Sequence, residues 1–290
     1  GSEIWDDLYA VRQAWRDARP TEVFFNHLYF APDAQTYDAL RRAALFANGF
    51  APHEERTTTR PDMTYTGFYI YGADTYFEFL KPEGSVAKGG TGVALGIEAL
   101  GGTGRLAKSL EAVGVRSFAG PTSRELDGSP VPWFQALGVE RAHPMSSLQL
   151  FSLEYEESFL DRWHAELAPR PSGIARRQVL ERYAAQLGQS DLRADGLLDN
   201  VTEVSLTLDA KEMDRFRRVA SACGFIQGPD GSGLTWLGPQ IRYVLEASAR
   251  PGGVTGFRAK LRRSVERQEL RFGRATLLLD GDSATFRMRR

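Results

Sequence analysis

One pattern recurs along this chain, a strand followed by a helix and three further strands, and it restricts the folds open to the chain. The first copy has predicted strands at 22–30, 51–59, 63–71 and 74–81 and a predicted helix at 34–47. A sequence that repeats one such unit indicates paired modules, each completing the sheet of its neighbour. The expected fold class is therefore α+β, with tandem βαβββ modules forming cupped mixed sheets.

A second copy follows directly. Its predicted strands lie at 92–98, 115–123, 131–139 and 147–155, and Leu106, Leu110 and Val113 form one side of its helix. Two predicted helical segments flank this pair of modules. An amphipathic helix is expected at 1–20, and a helical connector at 157–199, interrupted at 168–173.

The C-terminal part contains a third copy and a degenerate fourth. A strand at 201–208 precedes Asp209 and Glu212, which are spaced as a capping box at the start of a helix ending at Gly224. The fourth copy has lost its helix. Its strands are expected near 254–263, 267–272, 274–280 and 283–289. The predicted domains are thus a first module pair at 21–160, with modules at 21–83 and 91–156, and a second, degenerate pair at 200–290.

Two aromatic strands of the first copy each hold one polar side chain that is able to bind a metal. These are His27, in Phe24–Phe30, and Glu78, in Thr75–Pro82. Burying an unpaired carboxylate costs several kcal/mol, so a cation, a hydrogen-bonding partner or access to solvent is expected beside Glu78. Alternation places Phe25, His27 and Tyr29 on one face of their strand, and Tyr76, Glu78 and Leu80 on one face of theirs.

These strands resemble the vicinal oxygen chelate superfamily, which includes glyoxalases, extradiol dioxygenases and bleomycin-resistance proteins. The resemblance rests on Asn26-His27-Leu28, on Tyr76–Leu80 beside a proline and on Gly92–Glu98 opening the next unit. Residues 21–160 are similar to glyoxalase-like families found in many bacterial proteins. The resemblance implies two modules around a cavity, with metal ligands on the first and fourth strands of each module.

The resemblance implies three metal ligands that also act in catalysis, His27, Glu78 and Glu154, and a fourth ligand position near Gly92 that has no side chain. One imidazole and two carboxylates with open positions suit a divalent ion such as Fe, Mn, Ni or Zn. A buried ion pair without metal is the alternative. In the third copy Glu203 takes the place of His27 and Val244 that of Glu78, so no second metal site is expected there.

A set of aromatic and basic side chains is expected to line the cavity and bind the substrate. They are Tyr29, Arg56, Tyr65, Tyr71, Tyr76 and Trp133. The alternative is that each aromatic residue of this set only packs in the core. As a group they indicate a small, apolar or aromatic ligand.

Composition excludes several classes of protein. The 36 basic and 37 acidic residues leave a net charge of -1, which gives no field for attracting nucleic acid or an anionic membrane. Cys223 is the only cysteine, so an intramolecular disulfide is impossible, and its apolar neighbours predict a core thiol. We expect a soluble cytoplasmic protein with a small-molecule partner, and a homodimer is compatible with the sequence. Gly1-Ser2 looks like a cloning remnant, so a native leader is not excluded.

Three functions stay open at this point. The first is a metal-dependent enzyme of the isomerase, lyase or dioxygenase type acting on adjacent oxygens of a small metabolite. The second is a metal-free protein that binds and sequesters an aromatic compound, as drug-resistance members of the superfamily do. The third is a scaffold whose cavity is filled by its own side chains. Fold alone does not separate them.

Overall fold

The structure, a computed structural model, describes residues 22–163, 173–229 and 231–289. The helix predicted at 1–20 and most of the interruption predicted at 168–173 lie outside these ranges. No helix among the described residues is long and apolar enough to cross a membrane.

The first module contains one helix between its first and second strands. Its elements are β1 (Val23–Phe30), α1 (Ala34–Arg41), β2 (His53–Thr59), β3 (Thr64–Tyr71) and β4 (Tyr76–Leu80). The Asp33 side chain caps α1 by accepting from Thr36 N at 2.9 Å. The helix ends at Arg41, before the predicted residue 47, and a wide turn follows at Phe46–Phe50, in which Gly49 adopts a φ of 85°.

The second module repeats this order and completes one eight-stranded sheet. Its elements are β5 (Thr91–Ile97), α2 (Gly102–Ala112), β6 (Ser117–Leu126), β7 (Ser129–Val139) and β8 (Leu148–Tyr155). The strand order is β2-β3-β4-β1-β5-β8-β7-β6, with β1 antiparallel to β5 at the centre and parallel pairs β1–β4 and β5–β8. The expected α+β fold with tandem βαβββ modules is therefore confirmed.

Within the described residues, three helices connect this sheet to the rest of the chain. They are α3 (Glu157–Trp163), α4 (Arg176–Gln186) and α5 (Ser190–Asp195). Side chains of α3 and α4 pack on the face of the sheet that contains His27, and Tyr183 stacks on Tyr71 with ring centroids 5.2 Å apart. The connector therefore fills part of the space on this face of the eight-stranded sheet, which we call the first cup. The corresponding space on the six-stranded sheet is the second cup.

The third module begins a second, six-stranded sheet. Its elements are β9 (Leu198–Leu208), α6 (Ala210–Ala222), β10 (Ile226–Gln227), β11 (Thr235–Gly238) and β12 (Ile241–Ala247). The Asp209 and Glu212 capping box forms as expected at the start of α6. Cys223, just beyond α6, is buried, and desolvation raises the pKa of its thiol to about 12, as for a core thiol.

The degenerate fourth module differs from the four predicted strands. It consists of two long strands, β13 (Gly253–Phe272) and β14 (Ala275–Met288), and β13 pairs with β9 as β5 pairs with β1. The register shifts between Lys260 and Val265 and again before Gln268, near one of the predicted breaks. Arg289 N donates to Arg274 O at 2.9 Å, although about 14 extended residues would span roughly 45 Å. The hairpin must therefore fold back on itself.

The two sheets share one core. Leu28, Phe30, Phe77 and Phe79 point away from His27 toward the second sheet. The Phe77 ring lies 4.5 Å from that of Phe257, and the Phe30 ring 5.2 Å from that of Phe286. Because alternation sends one set of aromatic side chains into this core, the other set is left to face the cup.

Candidate ligand-binding site

A cavity of about 490 Å³ remains in the first cup beside the connector helices. Its walls are mainly aromatic. The aromatic lining residues are Tyr29, Tyr65, Tyr69, Tyr76, Trp133, Phe134, Phe151 and Tyr155. This size is within the range of small-molecule sites.

His27 enters the cavity beside a β-bulge. The pairing of β1 with β5 skips Asn26 between Phe25 and His27. As a result Phe25 lies in the shared core and not on the face of His27 and Tyr29, which corrects the alternation predicted for this strand. The bulge also brings the Asn26 amide to the imidazole, because His27 Nδ1 lies 2.9 Å from Asn26 Oδ1 and donates to it. The lone pair of Nε2 is thereby left for a partner in the cavity.

Glu78 lies opposite His27 and both are almost fully buried. His27 Nε2 and Glu78 Oε1 are 3.7 Å apart, too far for a direct hydrogen bond. Desolvation raises the pKa of Glu78 to about 8 and lowers that of His27 to about 3, and nearby Arg56 opposes the rise for Glu78. Both groups are therefore mainly neutral near pH 7, and the Tyr76 ring stacks on the imidazole at 4.2 Å.

The strand register identifies the positions in the second module that correspond to these two side chains. His27 pairs with Tyr76, and Ala94 pairs in the same way with Phe151. Ala94 thus matches His27, and Leu153, two residues beyond Phe151, matches Glu78. The position predicted near Gly92 is corrected to Ala94. Two of the four ligand positions that the resemblance implies are therefore occupied by the apolar residues Ala94 and Leu153.

These residues do not fit a divalent metal held by the protein. No group of three or more His, Cys, Asp or Glu side chains able to share a metal ion occurs within the described ranges. A catalytic ion ordinarily needs at least three protein donors. His27 and Glu78 provide two, and the apolar side chains of Ala94 and Leu153 stand where the others belong.

Glu154 lies on the opposite face of β8, which corrects its predicted role as the third ligand. Its Oε1 accepts from Gly101 N at 2.6 Å and its Oε2 from Thr103 N at 2.9 Å. These are free amides at the start of α2, whose N-cap Gly101 has no side chain to satisfy them. Glu154 therefore caps a helix.

Five of the six predicted substrate-binding residues line the cavity. They are Tyr29, Arg56, Tyr65, Tyr76 and Trp133. Tyr71 does not, because Tyr183 covers its ring and its hydroxyl donates to Glu54 Oε1 at 2.6 Å. The indole Nε1 of Trp133 is buried and has no hydrogen-bond partner among the described residues.

Sequence reasoning missed the mouth of the cavity. Loops 85–90 and 141–147 form it and contribute Lys88 and Arg141. It also missed Gln149, whose Oε1 accepts from the Tyr29 hydroxyl at 2.6 Å. Apart from the basic side chains themselves, the sequence has no signal for these positions, because both loops reach the mouth only through the pairing of the two modules.

The C-terminal half holds one of these loops. His143 Nε2 lies 3.1 Å from Asp209 Oδ2, and the buried Glu212 accepts from the Ser146 hydroxyl. The other Glu212 oxygen accepts from Gly252 N at 2.8 Å. The start of α6 therefore fixes the loop that contains Arg141.

A second cavity, of about 650 Å³, occupies the corresponding cup of the second sheet. Glu203 pairs with Arg242 and Ser205 with Val244, in the register of His27 with Tyr76 and Tyr29 with Glu78. Glu203 and Val244 therefore occupy the positions expected from the sequence. Charged and hydroxyl side chains dominate its lining, among them Arg258, Arg271 and Thr285, and Phe257 and Phe286 of the shared core also border it.

Comparisons with known proteins agree with this architecture. The module pairing defines a fold of the vicinal oxygen chelate kind. The chain belongs to the family DUF5829, a family of unknown function, whose profile matches residues 25–288. The match covers both sheets, so the aromatic and the polar cup belong to one family unit. No match was found among curated proteins.

Three solved structures are similar over most of the chain. A hypothetical protein from Staphylococcus aureus has 12% identity and a TM-score of 0.52, covering 86% of this chain and 95% of the other. A fusion of a xylose isomerase-like TIM barrel with 4-hydroxyphenylpyruvate dioxygenase has 14% identity and a TM-score of 0.46, covering 80% of this chain and 36% of the other. Homoprotocatechuate 2,3-dioxygenase from Arthrobacter globiformis has 12% identity and a TM-score of 0.38, covering 82% of this chain and 60% of the other. Of these three, the Staphylococcus aureus protein alone is similar enough to bear on the fold, and none transfers an activity.

Proposed function

We propose that the first cup binds a small aromatic molecule without a metal ion. The observation behind this proposal is the replacement of two ligand positions by Ala94 and Leu153 inside a cavity that is otherwise intact. Metal coordination would require donors at those positions. An apolar ligand gains from them instead, because buried apolar area stabilises binding by about 25 cal/mol per Å².

The walls support an aromatic ligand in particular. Aromatic side chains prefer stacked or edge-to-face contacts with other rings, each worth about 0.5–1.5 kcal/mol beyond burial. Tyr76 stacks on His27 and Phe151 meets the same imidazole edge-on at 5.7 Å, so these walls already place rings against one another. The Nε2 lone pair of His27 offers a polar contact that would orient a hydroxyl or carbonyl group.

A ligand screen in the presence of EDTA tests the proposal. Thermal unfolding is measured against a panel of monocyclic and bicyclic aromatic compounds, and at least one should raise the Tm to the same extent with and without the chelator. Phe151→Ala should weaken that binding severalfold, while Phe118→Ala, in an exposed side chain outside the cavity, should not. Absence of stabilisation by every compound would favour a scaffold with no ligand.

A metal-dependent enzyme is the second candidate. The observation in its favour is the convergence of His27 Nε2 and Glu78 Oε1 to 3.7 Å, with Asn26 orienting the imidazole as an outer partner does for a ligand. Metal content, measured by plasma mass spectrometry after incubation with Fe, Mn, Ni or Zn, distinguishes the two. Near-stoichiometric metal that disappears in both His27→Ala and Glu78→Ala would replace the first proposal with this one.

A further inference from the structure

The charges at the cavity mouth indicate the class of ligand. We infer that the first cup takes an anionic aromatic molecule, a carboxylate or sulfonate, whose charged group lies between Arg141 and Lys88 at the mouth. This inference rests on the proposed function, because it specifies the ligand of the same cavity.

The charged residues that line the cavity are unequal in sign. Four are basic and one, Glu78, is acidic; the basic residues are Arg56, Arg60, Lys88 and Arg141. Even with Glu78 ionised, the four basic residues outnumber the one carboxylate. The cavity therefore presents an excess of positive charge.

Two of the basic residues already have counterions. Arg56 Nη1 lies 2.5 Å from Glu54 Oε1, and the Arg60 guanidinium forms two 3.0 Å hydrogen bonds with Asp62. Neither Lys88 nor Arg141 forms an ion pair with any described residue, although Lys88 has a longer-range electrostatic interaction with Asp33. The uncompensated charge is thus concentrated at the mouth, where a ligand enters.

The Arg141 charge acts on the cavity interior. Burial raises the pKa of Tyr29 and the charge of Glu78 adds to the rise, whereas Arg141 opposes it. Tyr29 lies on β1 two residues from His27, so Arg141 is close to the polar end of the cavity. An anion near the Tyr29 hydroxyl would experience the same attraction in surroundings of reduced dielectric constant.

Both mouth loops are fixed before any ligand arrives. Gly89 N donates to Ala31 O at 2.7 Å, and Ala31 N donates to Gly90 O at 2.8 Å, so the Lys88 loop is tied to the end of β1. His143 and Ser146 tie the Arg141 loop to Asp209 and Glu212 of the second half. Fixed loops lower the entropic cost of collecting the two cations around one anion.

A pair of dyes with the same ring skeleton tests the inference. Anilinonaphthalenesulfonate is anionic and phenylnaphthylamine is uncharged, and fluorescence reports the affinity of each. We expect the two dyes to compete for one site, with the anion binding more tightly at low ionic strength. Salt should weaken binding of the anionic dye and leave binding of the uncharged dye nearly unaffected.

Variants localise the effect. Arg141→Gln and Lys88→Gln should each lower the affinity for the anionic dye about two- to fivefold, as for partly exposed ion pairs. The double variant should lower it about tenfold. The uncharged dye should change less than about twofold. Lys108→Gln, on the exposed side of α2, removes the same charge away from the cavity and should change neither dye.

The outcomes separate this inference from the proposed function. Equal binding of the two dyes, unaffected by Arg141→Gln and Lys88→Gln, would overturn the anionic ligand and leave an aromatic-binding cavity. No competitive binding of either dye would contradict the proposed function itself.

Discussion

The two cups of this protein have the same strand pairing and opposite linings. In the first, the register of β1 with β4 sets His27, Tyr29, Tyr76 and Glu78 around an aromatic cavity. In the second, the same register of β9 with β12 sets Glu203, Ser205 and Val244 around a charged one. The backbone therefore fixes where a cavity forms, whereas the inward-facing side chains decide what it can bind.

Other parts of the chain contact the partly filled first cup and hold its mouth in place. The connector helices cover one end of it through Tyr183, and α6 holds its mouth through Glu212. Nothing comparable among the described residues covers the second cup. The C-terminal half therefore braces the mouth of the first cavity through Glu212.

The largest expected effect tests whether the two cups form one cooperative unit. Phe257 lies in the shared core with its ring 4.5 Å from Phe77 and 5.1 Å from Phe286. Phe257→Ala should lower the free energy of unfolding by about 4 kcal/mol, the range for a large buried aromatic side chain. Urea unfolding should show one transition. Phe118→Ala, at a site 59% exposed, is the matched control and should cost less than about 0.5 kcal/mol. Two separate transitions would mean that the cups are independent.

The second prediction concerns the brace from α6. Glu212 is buried and accepts from the Ser146 hydroxyl, Gly252 N and Asp209 N. Glu212→Ala leaves these donors without an acceptor and should cost about 3 kcal/mol in urea unfolding. It should also weaken the anionic dye, because the Arg141 loop is released. Glu111→Ala, at an exposed position of α2, is the control. Full stability with unchanged dye affinity would show that the second half does not brace the mouth.

The third prediction uses the pH dependence of stability. The pKa of Glu78 is raised from 4.5 to about 8, so its neutral form favours the folded state and stability falls as pH rises between these values. The pKa of His27 is lowered from 6.5 to about 3, so stability falls as pH drops between those values. The two effects cancel between pH 4.5 and 6.5.

Stability should therefore be about 2 kcal/mol lower at pH 8 than at pH 6.5, at about 1.4 kcal/mol per pH unit. Glu78→Gln should remove this decline, and urea unfolding of both proteins across that window measures it. A wild-type protein whose stability stays level from pH 6.5 to 8 would mean that Glu78 is ionised, as it would be beside a bound metal.

How much of the site the sequence predicted depends on what each strand borders. Alternation within β4, which sends Phe77 and Phe79 to the opposite face, was sufficient to place Tyr76 and Glu78 on the side of His27. In β8 both faces are covered, one by the shared core and one by the cavity residues. Apolar side chains therefore occur on both faces, and their alternation does not identify the face toward the cavity. Glu154 was therefore assigned to the wrong side. The run Gly101-Gly102-Thr103, a helix start without a capping side chain, was a usable sign that a carboxylate from elsewhere was needed there.

The long β13–β14 hairpin shows a second limit. The predicted breaks near 263–267 and 280–283 correspond to places where the pairing register shifts, yet the strands continue through them. Gly281, at a φ of 58°, occupies the predicted turn without ending β14. A bend within a strand and a turn that ends it have similar local sequences, and only the pairing with neighbouring strands determines which of the two forms.

The smallest expected effect concerns the polar cup. Glu203 stands where His27 stands in the first cup, and its carboxylate is 3.9 Å from Arg242 Nε, with side chains 17% and 36% exposed. Because solvent screens such a pair, Glu203→Gln should cost less than about 1 kcal/mol and should not change the affinity of either dye. Unlike Glu78→Gln, it should leave the slope of stability between pH 6.5 and 8 unaltered. A loss of dye binding in Glu203→Gln would mean that the dyes occupy the second cup, and the ligand site would have to be reassigned to the polar cavity.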